Sequence, residues 1–495
     1  MTHVRPTLSR RLRPSAGTVL GWLLVLLGSG LGSCRPVQAQ PATLGQWSGP
    51  TSLAYRAIHA HLLPTGKVMY WQSYAKADFP QLWDPSTRTS SPAAQAGFNI
   101  FCNGGAFLAD GRLLLAGGHL ADNVGLATAT IYDPFTNAWS RQPDMNAGRW
   151  YPTAVTLGNG DVLVVSGMVD TTVGMNLLPQ VWQRATGTWR SLTTAQLLHP
   201  YYPYMFLAPD GRVFIAGPAQ KSRLLGTSGT GGYDVVGNNR FGSRNWGSAV
   251  MYEPGKVLIM GGILGDFYGP TSAAAPTKTA EAIDLTSATR RWNYVAPMAF
   301  ARKHHNATLL PDGTVLVTGG SRGSEDTNAP SPSPVYAAEM WNPATNTWTT
   351  LAPNAVYRGY HATALLLPDG RVLSTGGDHV AANAEVYSPP YLFKGARPTM
   401  TSAPTTVNYG QTFVVATPDA ASITQVTWIP FTSVTHTNSM GQRLNRLSFT
   451  PTTGGLQVTV PASPNLAPPG YYMLFIVNSS GVPAVARTLR LNVQP

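Results

Sequence analysis

The sequence predicts an all-β protein, a seven-bladed β-propeller followed by a β-sandwich. Three observations predict it. From about residue 50 to 390 one unit recurs: an apolar strand, a Gly-containing turn and a second apolar strand. Its seven turns are Thr65-Gly66, Asp110-Gly111, Asn159-Gly160, Asp210-Gly211, Pro254-Gly255, Asp312-Gly313 and Asp369-Gly370, roughly 44 to 58 residues apart. The composition is turn-rich, with 50 Gly, 41 Pro and only 11% charged residues. No long helical periodicity follows the first forty residues.

Each element can be justified in order. Residues 1–39 read as an export signal. Arg10-Arg11 precede the apolar run Val19–Leu27, which is too short to span a membrane, and small residues follow. Ser9-Arg10-Arg11 resembles a twin-arginine signal, Cys34 resembles a lipid-modified cysteine, and Val37-Gln38-Ala39 offers a cleavage site. A secreted or cell-envelope location is therefore expected, with membrane attachment only through a lipid on Cys34. The remaining cysteine, Cys102, leaves the mature chain without an internal disulfide.

The propeller is expected over residues 45–392. Asn-Gly and Asp-Gly supply the positive φ of two-residue hairpins. Outer-strand segments end in Trp139, Trp189, Trp292 and Trp348, and Gly-Gly with a later Trp resembles the kelch repeat. The break from Ser388-Pro389-Pro390 to Arg397-Pro398 reads as a junction. Residues 398–495 alternate apolar and polar positions in short strands, the pattern of an Ig-like β-sandwich. The formal charge of +12 falls to +8 without residues 1–33, which hold four arginines and no Asp or Glu, and no Lys/Arg run remains, so a nucleic-acid partner is not expected. A monomer is expected.

The candidate chemistry lies where strand starts gather around a propeller axis. Cys102, Tyr151 and His361 each stand eight residues before their blade's turn, and Tyr360 is one step away. The same offset lands on His304. Adjacent side chains of an extended strand point to opposite faces, so Tyr360 and His361 reach one ion only if the backbone bends. With His436 of Thr435-His436-Thr437, these residues offer two imidazoles and two phenols. That set suits copper better than zinc, calcium or magnesium.

On Phe101-Cys102 before Gly104-Gly105, Arg149-Trp150-Tyr151, Arg358-Gly359-Tyr360-His361 and Thr435-His436-Thr437, the chain resembles the galactose oxidase/glyoxal oxidase family of copper-radical oxidases. The resemblance implies a thioether between Cys102 and Tyr151 that carries a radical, and one copper ion on Tyr151, Tyr360, His361 and His436. It makes Tyr360 the axial ligand and base, and Trp150 a shield for the radical. Arg302 resembles a substrate-contacting arginine, and Leu224 is expected where galactose oxidase places a stacking Trp. The implied reaction oxidises small glyoxal-like aldehydes, as hydrates, or primary alcohols, and reduces O2 to H2O2. The alternatives are a non-catalytic propeller that binds a glycan or protein, and a structural copper or zinc protein without radical chemistry.

Overall fold

Seven antiparallel sheets, six of them four-stranded and the seventh extended to six strands by a C-terminal hairpin, stand around an axis in the computed structural model, which describes residues 40–265, 274–323, 331 and 333–494. The expected export signal lies outside the described residues. Blade 1 begins with the strand His59–Leu62, blade 2 with Gly104–Phe107 and blade 3 with Thr153–Thr156. Blade 4 begins with Tyr204–Leu207 and blade 5 with Ser248–Glu253. Lys303–Leu309 and Ala362–Leu366 open blades 6 and 7. The outer strand of blade 7 is Gln46–Ser52, paired with Asn383–Ser388, so the first described strand closes the ring. Among the described residues no helix is long and apolar enough to cross a membrane.

The turns differ in type from the expectation. Six are three-residue loops. In blade 2, for example, Leu108 N–H bonds the Arg112 carbonyl at 2.8 Å and Gly111 N–H bonds the Leu108 carbonyl at 2.9 Å. Only the glycine takes positive φ, +89° at Gly111, as in a type I turn closed by a Gly bulge. Pro254-Gly255 alone is a two-residue connection, between the paired Glu253 and Lys256.

Two devices join the blades. The outer-strand tryptophans bridge to the preceding blade: Trp139 Nε1 donates to the Ala94 carbonyl, Trp189 to Pro143 and Trp348 to Ala296. The second device is a buried arginine before each axial residue in four blades. Arg149, Arg244, Arg302 and Arg358 donate to the carbonyls of Ser166, Gly261, Gly319 and Gly376 within their own blades. The last three also pair with Glu281, Glu339 and Glu385. Each glutamate in turn accepts backbone N–H groups of the incoming loop: Arg240 and Phe241, Ala299, and Ala355. In blade 3, Gln180 does this for Asn146. A buried charge without such partners would cost several kcal/mol, which is why pair and loop are built together.

The C-terminal strands run in the order Thr406–Val407, Arg487–Leu491, Gly470–Asn478, Ile423–Pro430, Asn445–Thr452, Gly455–Thr459, Thr412–Ala416. Asn445–Thr452 pairs with Ile423–Pro430 through its first half and with Gly455–Thr459 through its second. It thus turns the corner between two layers that enclose Trp428, Leu474, Ile476, Val415 and Val458. From this domain the hairpin of Ser433–Thr435 and Asn438–Met440 enters the propeller and pairs with the inner strand of blade 1, Thr435 opposite His59 and Ser433 opposite His61. It is also held by blade 5, where Thr437 Oγ1 donates to the Gly247 carbonyl and Ser248 Oγ to the Thr437 carbonyl.

Candidate active site

Six axial residues, one per blade from blade 2 to blade 7, share a left-handed backbone: Cys102, Tyr151, Tyr202, Trp246, His304 and His361, with φ between +44° and +67°. All stand eight residues before their turn. Sequence reasoning found four of them and missed Tyr202 and Trp246, although the same offset marks both. A left-handed residue breaks the alternation of a strand, at a cost of about 1–3 kcal/mol each outside glycine. At His361, φ +65°, the break lets neighbouring side chains converge, and the Tyr360 and His361 rings stack with centroids 3.8 Å apart.

His436 arrives at the hairpin tip, where His436 and Thr437 have φ of +47° and +69°. These are the two central residues of a tight primed turn without a glycine. The Thr435 hydroxyl donates to the Ile58 carbonyl at 3.0 Å and so accepts from His436 Nδ1 at 2.6 Å. His436 Nε2 is left as the lone-pair nitrogen, 2.9 Å from the Tyr151 hydroxyl. The Tyr151 and Tyr360 hydroxyls are 2.6 Å apart. His361 Nε2 is buried without a partner, and its ring lies 4.3 Å from that of His436. Two phenols and two imidazoles therefore gather in one cluster at the axis.

This donor set fits a single copper ion. Burial pushes both phenols well above their ordinary range, so a phenolate here requires an adjacent cation. Burial, with the neighbouring His361 adding to it, holds His436 far below the usual imidazole value and keeps it neutral, the form that ligates metal. Among the described residues no group of three or more His, Cys, Asp or Glu forms a metal site. This centre depends on tyrosines.

Cys102 is buried in one cluster with Trp150 and Tyr151, and its carbonyl accepts the Tyr151 N–H at 2.9 Å. Burial pushes its thiol well up, while the Tyr151 side chain pulls back by less. Trp150 stacks on Tyr151 with ring centroids 3.9 Å apart and 14° between planes, and its Nε1 donates to His119 Nδ1 at 3.1 Å. Tyr202 stacks on the other side, 4.8 Å from Tyr151. Above the site opens a cavity of about 500 Å³ lined by Trp150, Tyr151, Tyr360, His361, Arg56 and Asp378, with Tyr74, Asp122 and Asn123 at its wall.

Two expectations fail. Arg302 does not contact this cavity: it is fully buried and spends its donors on the Gly319 and Ala337 carbonyls and on Glu339, 2.5 Å away. Its place in the repeated arginine–glutamate device is structural. Leu224 does not lie over the site either. It sits in the strand Lys221–Gly226, in the core packed between blades 4 and 5. The ring over Tyr151 belongs to Trp150.

Residues 81–388 match the family model described as glyoxal oxidase N-terminus, and residues 397–491 match galactose oxidase-like, early set domain. The chain belongs to the galactose oxidase/glyoxal oxidase family and is a copper-dependent oxidase. It is 30% identical over 501 aligned residues to a galactose oxidase of Gibberella zeae, covering 90% of this chain and 71% of the relative. It is 28% identical to the aldehyde oxidase GLOX of Vitis pseudoreticulata, covering 95% and 97%. A solved fungal alcohol oxidase of the AA5 family, in complex with copper, superposes with a TM-score of 0.82 at 26% identity, over 91% of this chain and all of that one.

Proposed function

We propose that this chain is an exported copper-radical oxidase of small aldehydes, taken as their hydrates, and of primary alcohols, with O2 reduced to H2O2. The convergence of Tyr151, Tyr360, His361 and His436 beside Cys102 carries the reading. Those four side chains would hold the metal. When bound, copper supplies a one-electron acceptor beside the radical and the reaction with dioxygen that restores both.

The residues divide the remaining work. Tyr360 Oη faces both Tyr151 and the cavity and is the group that takes the substrate hydroxyl proton. Tyr151, as a radical, removes the hydrogen atom from the hydroxyl-bearing carbon. Its thioether to Cys102 forms by loss of the thiol hydrogen and one ring hydrogen, with O2 taking both and the electron pair. The link spreads the radical and lowers its potential, and Trp150 covers its face against solvent. An aldehyde hydrate is a gem-diol, so the alcohol chemistry turns it into an acid. The similarity to a galactose oxidase, an aldehyde oxidase and an alcohol oxidase supports aldehydes and primary alcohols equally well. The basic, then apolar, then small-residue pattern of residues 1–39 supports export.

The test is peptide mass analysis of the mature protein after aerobic copper loading, followed by peroxide release with a dialdehyde and with a primary alcohol. A Cys102–Tyr151 peptide lighter by a pair of hydrogens, with peroxide produced, is the expected result. Unlinked peptides in copper-loaded protein would exclude the radical mechanism.

A further inference from the structure

One carboxylate reaches both the metal ligands and the cavity. Asp378 follows Gly376-Gly377 at the end of the second strand of blade 7, and its backbone N–H bonds the Tyr360 carbonyl at 2.9 Å. The Gly377 N–H bonds the His361 carbonyl at 3.1 Å. The Asp378 backbone is thus tied to the two adjacent ligands. Its Oδ2 lies 2.7 Å from His361 Nδ1, and its Oδ1 lies 3.6 Å from an Arg56 guanidinium nitrogen.

A carboxylate only accepts, so the His361 proton sits on Nδ1 and the lone pair on Nε2. That nitrogen is the buried, unpartnered one. The two imidazoles of the centre are therefore backed differently: His361 by an anion, His436 by the neutral Thr435 hydroxyl. Among the described residues, His304, at the same level in blade 6, has no hydrogen-bond partner on either nitrogen.

We propose that Asp378 is a positioning residue for copper, holding His361 as the Nδ1–H tautomer with Nε2 presented to the metal, and that Arg56 pins the carboxylate from the cavity side. An anionic partner also raises the donor strength of an imidazole, so His361 is the stronger nitrogen ligand of the two. The inference rests on the copper-site reading above.

The experiment measures Cu(II) affinity of the apo protein by chelator competition, the electron paramagnetic resonance spectrum of the Cu(II)-loaded form, and apo-protein melting. Asp378→Ala should weaken copper about 10- to 100-fold and change the spectrum while melting stays put. Asp378→Asn should fall between it and the wild type, because its amide oxygen still accepts from Nδ1. Arg56→Gln should lose less than either. Wild-type affinity and spectrum in Asp378→Ala would overturn the proposal. If that variant does not fold, the same result in Asp378→Asn overturns it. His361→Ala separates the two readings: unchanged affinity there would sink the copper site itself, whereas weakened affinity there with an unaffected Asp378→Ala sinks only this inference.

Discussion

Arg302-Lys303-His304 in blade 6 and Arg358-Gly359-Tyr360-His361 in blade 7 are built on one frame. In both, a buried arginine bonds a carbonyl of the next strand and a glutamate farther on, and the axial residue is left-handed. The arginine stands two residues before the axial position in blade 6, as it does before Tyr151 and Trp246. In blade 7 it stands three before. The partner carbonyl shifts with it, from 17 residues downstream in blade 6 to 18 in blade 7. One additional residue in an otherwise conserved route thus gives blade 7 two donors, Tyr360 and His361, where blade 6 presents one histidine packed on Trp246 and Tyr360. The repeat supplies position. A single residue at that position supplies the chemistry.

Removing the additional residue is the strongest way to break this comparison. Deletion of Gly359 should reduce turnover to background while the buried Arg358–Glu385 pair and the propeller remain, as circular dichroism and peroxide assays would show. Tyr360→Phe is milder: turnover should fall about 10²- to 10⁴-fold, the usual worth of a positioned base, with copper still bound. Full activity in that variant would remove Tyr360 from the proton step.

The arginine frame should matter to stability in both blades and to catalysis in neither directly. Arg302→Ala should cost about 3–5 kcal/mol in urea unfolding, because Glu339 is left buried and unpaired. Arg302→Met with Glu339→Leu should recover most of that loss and leave KM for a small aldehyde unchanged. A raised KM in the double variant would restore Arg302 to the substrate.

The smallest difference concerns acid. Blade 6 carries a further buried imidazole, His305, where blade 7 has Ala362. Burial, with Arg302 and Arg244 nearby, holds His305 well below 6.5. Its folded value lies below its unfolded one, so its contribution is complete above about 6.5 and is lost as pH falls towards the lowered value. The loss per pH unit is at most about 1.4 kcal/mol. Melting temperature should therefore drop less between pH 7.5 and 5 in His305→Gln than in the wild type.

The architecture was legible because the turns recur, and the site because four axial residues share one offset from them. What stayed hidden depended on partners distant in sequence. Arg302 looks like a free cation until Glu339, 37 residues on, is seen beside it. Asp378 carries no motif and stands 17 residues beyond His361. Leu224 resembles a stacking position in sequence, and only strand pairing with Phe214 and Asp234 sets it in a core. The turn type escaped because Asp-Gly serves both two- and three-residue loops, and the choice is made by the strand pairing around it.

The hairpin that carries His436 sets an order of events. Its strand is hydrogen-bonded to residues 59–61 of blade 1, yet the ribosome makes it only after all seven blades. A nascent chain that has completed the propeller holds three of the four donors and an inner blade-1 edge still waiting for its neighbour. The cluster of donors is therefore closed only after the blades have been made, and a protease cut that frees the last domain opens it again by withdrawing His436 from the axis.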